Sequence, residues 1–147
     1  MTVFLTNHLA AQLQSLGIAA ADFQKWFEIW KRALDEESSA FFGKDGGYVS
    51  PEVDGEKYRL RHVHLVPLLD SAALREWYEA YARGSRRTSD RILVYVQADN
   101  KDYLAIAILE EPDAHDIQKM ATPEDRATME GFAVAAEEFL IDGSIVV

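Results

Sequence analysis

Residues 91–109 read Arg91-Ile-Leu-Val-Tyr-Val-Gln97, then Ala98-Asp-Asn-Lys-Asp102, then Tyr103-Leu-Ala-Ile-Ala-Ile-Leu109. Two nearly continuous apolar runs, rich in Val, Ile and Tyr, flank a short polar segment. Runs of this length, composition and spacing predict two strands buried on both faces and joined as a hairpin. Such a sheet needs a cover on each side, and the rest of the chain supplies it. Tyr58-Arg-Leu-Arg-His-Val-His-Leu-Val66 alternates and is stopped by Pro67, which reads as a further strand. Thr2-Val-Phe-Leu5 reads as a short opening strand.

Four helices are expected around these strands. One spans 7–15 and is ended by Gly17, and a second over 20–37 carries Phe23, Trp26, Phe27, Trp30 and Leu34 in one apolar stripe. Asp70 or Ser71 caps a third, with Leu74, Trp77, Tyr78 and Tyr81 on one side and Gly84 at its end. Thr122, Pro123, Glu124 and Asp125 open the last, whose Met129, Phe132, Ala136, Phe139 and Leu140 face one way until Gly143. Residues 43–55, GKDGGYVSPEVDG, carry turn chemistry and read as a loop. The expected architecture is therefore α+β, in the order β-α-α-β-α-β-β-α, forming one domain over residues 1–147.

Composition narrows the chemistry. With no cysteine among 147 residues, thiol nucleophiles, thiolate zinc sites and iron-sulfur clusters are excluded. An export signal and a stretch apolar enough to cross a bilayer are not apparent, so a cytoplasmic protein without membrane contact is expected. The formal charge of -10 repels phosphate polymers globally. Residues 57–91 run against that average, with eight Lys and Arg against four Asp and Glu. Arg83, Arg86 and Arg87 crowd into one short segment there, where guanidinium forks suit phosphate oxygens.

Groups able to exchange protons lie close by. His62 and His64 are two apart in a strand, so both imidazoles emerge on one face about 7 Å apart, as an acid and base pair requires near neutral pH. The same H-x-H spacing admits a metal site with Asp90 or His115 as a further ligand, although no diagnostic spacing supports it. Asp90 also stands between Arg87 and Arg91, where pairing with either would fix the turn. P-loop, G-x-G-x-x-G, G-x-S-x-G and H-E-x-x-H motifs are absent, which removes the usual support for nucleotide hydrolysis, dinucleotide, esterase and zincin chemistry.

Taken in order, Val3-Phe4, Phe42-Gly-Lys-Asp45 with Tyr48, Arg61-His-Val-His-Leu65, Ser85-Arg-Arg-Thr-Ser-Asp90, Leu93-Val-Tyr95, Leu104 to Leu109 and Glu111-Pro-Asp-Ala-His115 form a set. That set resembles the YafO family of toxins from bacterial type II toxin-antitoxin systems. The resemblance implies a RelE-like sheet flanked by helices and a ribosome-dependent messenger-RNA endonuclease acting at the large ribosomal subunit. It also implies a cognate antitoxin that holds the toxin inactive.

RNA supplies its own nucleophile, the 2′-hydroxyl, so such an enzyme needs only a proton acceptor, a proton donor and fixed positive charge. No metal or other cofactor is required. The expected catalytic groups are His62, His64 and His115 as base or acid, with Arg87 and Arg91 on the phosphate. Arg61, Arg83 and Arg86 are expected to grip the flanking RNA backbone. Tyr95, in an apolar strand, is expected in the core. The alternative is a module of the same fold that binds the ribosome or a protein without catalysis.

Overall fold

The computed structural model describes residues 1–147, the side chain of Glu37 excepted. The hairpin forms as its sequence requires. Strand β4 (Ile92–Gln97) pairs antiparallel with β5 (Tyr103–Leu109), Ile92 opposite Leu109 and Gln97 opposite Tyr103. Every residue of β5 is buried, because both faces of the strand are covered. On the far side of β4 lies β3 (Leu60–Leu65), with β2 (Phe42–Gly47) beyond it, both antiparallel. The short β1 (Val3–Leu5) runs parallel to β5. Among the described residues these five strands form one mixed sheet in the order β1-β5-β4-β3-β2.

Strand alternation sorts the side chains into two cores. Phe42, Val63, Leu65, Leu93, Tyr95 and Ala105 face α1 (Asn7–Ser15) and α2 (Ala20–Arg32), meeting Leu9, Leu13, Phe23, Phe27 and Trp30. Leu60, Ile92, Val94, Val96 and Leu104 face α5 (Pro123–Asp142), meeting Met129, Ala135, Ala136 and Phe139. Tyr95 lies in the core, as expected.

Caps match the sequence. Asp70 Oδ1 accepts from the Ala72 and Ala73 N–H groups at the start of α3 (Ser71–Ala82), and Thr122 Oγ1 accepts from Asp125 N–H in α5. Gly143 ends α5 with φ of 78°. Past the end of β1, the Gln12 side chain takes a strand's place, donating to the Ile108 carbonyl and accepting its N–H, both at 2.9 Å.

Besides a single 3₁₀ turn at Glu36–Ser38, two elements go beyond the expected order. Residues 43–47 of the segment read as a loop belong, with Phe42, to the edge strand β2. Its glycines serve close approach rather than turning. A Cβ on Gly43 would lie 2.4 Å from the Arg87 carbonyl and 2.6 Å from the Trp77 ring, and one on Gly47 would lie 2.8 Å from Tyr58. The second addition is α4 (Ala114–Gln118), a short helix between β5 and α5.

The apolar stripes also divide differently from their spacing. Phe23, Phe27 and Trp30 are buried, whereas Leu34 lies past the end of α2 and is fully exposed. In α3 only Trp77 and Ala80 are buried, and Tyr78 stands in solvent. No helix among the described residues is long and apolar enough to cross a membrane.

Candidate functional site

Leu60 belongs to the α5-side core, so the period of two places His62 and His64 on that same face of β3. Neither is covered by α5 alone, because α4 lies over this corner of the sheet and brings His115 with it. The ring centroids of His62 and His64 are 6.1 Å apart, and those of His64 and His115 are 5.9 Å apart. Three imidazoles, expected from three places in the sequence, thus form one row. Tyr48, following β2, extends the row by stacking on His62 at 4.4 Å.

Each ring is held differently. Asp90 Oδ1 accepts the backbone N–H of His115 at 2.7 Å and its Nδ1–H at 2.8 Å. This fixes the ring and leaves Nε2 as the nitrogen for proton exchange. His64 Nδ1 lies 2.7 Å from the Ser89 carbonyl and 3.0 Å from the Ser89 N–H, so either neutral tautomer finds a partner on one backbone unit. His62 Nδ1 is buried with no hydrogen-bond partner. On α4, Gln118 Oε1 accepts the Tyr48 hydroxyl, which ties the helix to the sheet beside the rings.

Electrostatics then separate the histidines. Burial, with His64 as neighbour, pulls the His62 pKa down to about 4. Burial also lowers that of His64, with His115 and Lys44 adding to it and the Ser89 carbonyl opposing it. Both rings are therefore neutral at pH 7 and able to accept a proton. Lys44, exposed on β2, puts a positive charge within reach of His62 and His64. Burial pushes the Tyr48 hydroxyl well above its ordinary pKa, so it stays a neutral donor.

The lowered His62 pKa makes stability depend on pH. An unfolded His62 takes a proton near 6.5 and the folded one only near 4, so stability is full above 6.5 and is lost as pH falls from 6.5 toward 4. The loss is on the order of 2 to 3 kcal/mol after allowing for partial solvation. His62→Phe keeps a ring against Tyr48 and removes the titrating group. Urea unfolding at pH 7 and pH 4.5 should show a smaller loss in the variant than in the wild type, and parallel losses would contradict the assignment.

The arginines are distributed otherwise than expected. Arg87 is 1 % exposed, and its guanidinium donates to the carbonyls of Ser39, Phe42 and Ser85 while lying 5.0 Å from the Tyr81 ring centre. Arg91 is equally buried, donating to Glu110 Oε1 at 2.6 Å and to the Val66 carbonyl at 3.3 Å. Both brace loops, and neither offers its charge to a phosphate on the surface. Arg61 points to the opposite face of the sheet from the imidazoles, bonded to Asp45 and the Tyr95 hydroxyl. Arg83 and Arg86 are exposed at the end of α3, and the chain from Arg86 leads through Ser89 to His64.

Asp90 pairs with His115, not with Arg87 or Arg91. Among the described residues no three His, Asp or Glu side chains are arranged to hold a metal ion. The residues that sequence reasoning did not assign to the site are Lys44, Tyr48 and Gln118. Tyr48 and Lys44 fall within the segment read as a loop, and only the β2–β3 register brings them to the histidines.

A family model described as Toxin YafO, type II toxin-antitoxin system, matches residues 28–140, a span that contains every member of the imidazole row. No curated protein and no solved structure matches the chain.

Proposed function

The chain belongs to the YafO toxin family of type II toxin-antitoxin systems, and from that premise we propose that it is a ribosome-dependent endoribonuclease in which His64 and His115 cleave messenger RNA as base and acid. An antitoxin is its partner. The observation that carries the reading is the 5.9 Å spacing of the His64 and His115 rings, with Asp90 holding the second.

The chemistry balances with these groups alone. His64, its Nδ1–H donated to the Ser89 carbonyl, accepts the 2′-hydroxyl proton at Nε2 as that oxygen attacks phosphorus. The P–O5′ bond breaks, and protonated His115 gives its Nε2 proton to the departing oxygen. The products are a 2′,3′-cyclic phosphate and a 5′-hydroxyl. Lys44 supplies the positive charge for the phosphorane oxygens that Arg87 and Arg91, being buried, do not. Arg86 and Arg83 continue the positive track along the flanking backbone.

A net charge of -10 gives the chain little affinity for free RNA, so the ribosome must present the message. In a reconstituted translation system, cutting is expected on translated message and to be negligible on the same RNA without ribosomes. Equal cutting of naked RNA would overturn the ribosome dependence. Asp90→Asn keeps the shape of the Asp90–His115 contact but loses its charge and tautomer control. It should slow cleavage by about 10²-fold or more, measured as single-turnover rate, with a melting temperature close to that of the wild type.

A further inference from the structure

A groove runs along α3 on the side facing residues 85–90. At one end a cavity of about 190 Å³ is lined by Ala73, Glu76, Trp77, Arg83, Arg86 and Thr88. At the other end one of about 290 Å³ is lined by Leu69, Ala73, Asp90, Glu111 and Pro112. Ala73 lines both, so the two adjoin at that residue. Its first end sets the exposed cations Arg83 and Arg86 against one carboxylate, Glu76, whereas its second carries Asp70, Asp90 and Glu111 with no cation and an apolar wall, Leu69 being 77 % exposed. Leu68, next to Leu69 in the chain, adds exposed apolar surface.

This bipolar lining discriminates between occupants. A nucleic-acid strand is anionic along its whole length, so it suits the arginine end and is repelled by Asp90 and Glu111. Exposed Leu68 and Leu69 likewise offer nothing to a phosphate backbone but bury well against a protein. A polypeptide can carry carboxylates at one end, apolar residues in the middle and a cation at the other, matching the groove along its length.

We infer that the α3 groove is the docking site of the antitoxin, which lays into it an extended segment with acidic residues at Arg83 and Arg86 and a basic residue at Asp90 and Glu111. The existence of that partner rests on family membership, and its inhibitory effect rests on the histidine reading. A segment seated there covers Asp90, the carboxylate that orients His115, and occupies the cations that the message would use. Neutralisation then needs no change of fold.

The test is calorimetric titration of the full chain with its cognate antitoxin, alongside single-turnover cutting of translated message by the same variants without antitoxin. Ala73→Gln fills the junction of the two cavities without adding charge beside Arg83 and Arg86, and Leu69→Ser alters only an exposed wall residue, so it keeps the test valid should the first variant fold poorly. Antitoxin affinity is expected to fall at least tenfold with Ala73→Gln and about threefold or more with Leu69→Ser. Uninhibited message cutting should match the wild type. Unchanged antitoxin affinity in both variants overturns the proposal, as does weakened message cutting with antitoxin binding intact. Should the wild type cut no message, the histidine reading falls while the antitoxin affinities still decide this one.

Discussion

Replacing His115 by alanine should lower message cleavage by about 10²- to 10⁴-fold, the usual contribution of a positioned proton donor, while leaving the sheet intact. The fold is expected to survive because the ring is half-exposed and its hydrogen bond is to Asp90, with only a ring contact to His64 besides. The backbone N–H of residue 115 still reaches Asp90 in the variant, so α4 keeps that anchor. His64→Ala should cost a similar factor, with some stability, since that ring is buried against Ser89. If the two act on one reaction, the double variant is hardly slower than either single one. Multiplicative losses would mean that the rings contribute separately, and wild-type cutting by His115→Ala would remove the acid from the mechanism.

Arg87→Ala is expected to act on the fold instead. The buried guanidinium joins the Ser39 and Phe42 carbonyls to the end of α3, and it lies against the rings of Trp77 and Tyr81. Its removal leaves carbonyls without a donor and a cavity beside Trp77, a combination worth roughly 3 to 5 kcal/mol. For a chain of this length that is a fall of about 10 °C or more in melting temperature. Arg87→Lys should recover little, because one ammonium cannot span the fork of carbonyls. A surface arginine on the phosphate would behave oppositely, with Arg87→Ala folding normally and only cleavage suffering. Thermal unfolding followed by circular dichroism separates the two.

Arg87 also marks where sequence reading stopped. Three arginines in a Gly- and Ser-containing segment look solvated, and full burial of arginine is rare without partners. Here the partners are carbonyls at Ser39 and Phe42, more than forty positions away, and nothing local announces them. Arg91 is hidden in the same way by Val66 and Glu110. Legible features were those set by local periodicity or capping. The β4–β5 hairpin, the shared face of His62 and His64, the Asp70 and Thr122 caps and the buried Tyr95 all follow from alternation, helical spacing or a single side-chain bond.

The edge strand β2 escaped because glycine has two uses. Gly43 and Gly47 look like turn residues, yet they are there to let Trp77, Arg87 and Tyr58 approach the strand. With β2 went its register against β3, and hence the positions of Lys44 and Tyr48. The joining of His115 to the other two histidines was equally out of reach. It depends on α4, a five-residue helix held by Asp90 at one end and Tyr48 at the other, and both bonds are long-range.

The central claim is that His64 and His115 open the phosphodiester by attack of the RNA's own 2′-hydroxyl. It is tested most directly by the chemistry of the ends left on translated message. The wild type should leave 2′,3′-cyclic phosphates and 5′-hydroxyls at discrete positions, and the His64→Ala, His115→Ala double variant should leave none. Fragments ending in 5′-phosphates, or undiminished cutting by the double variant, would contradict it.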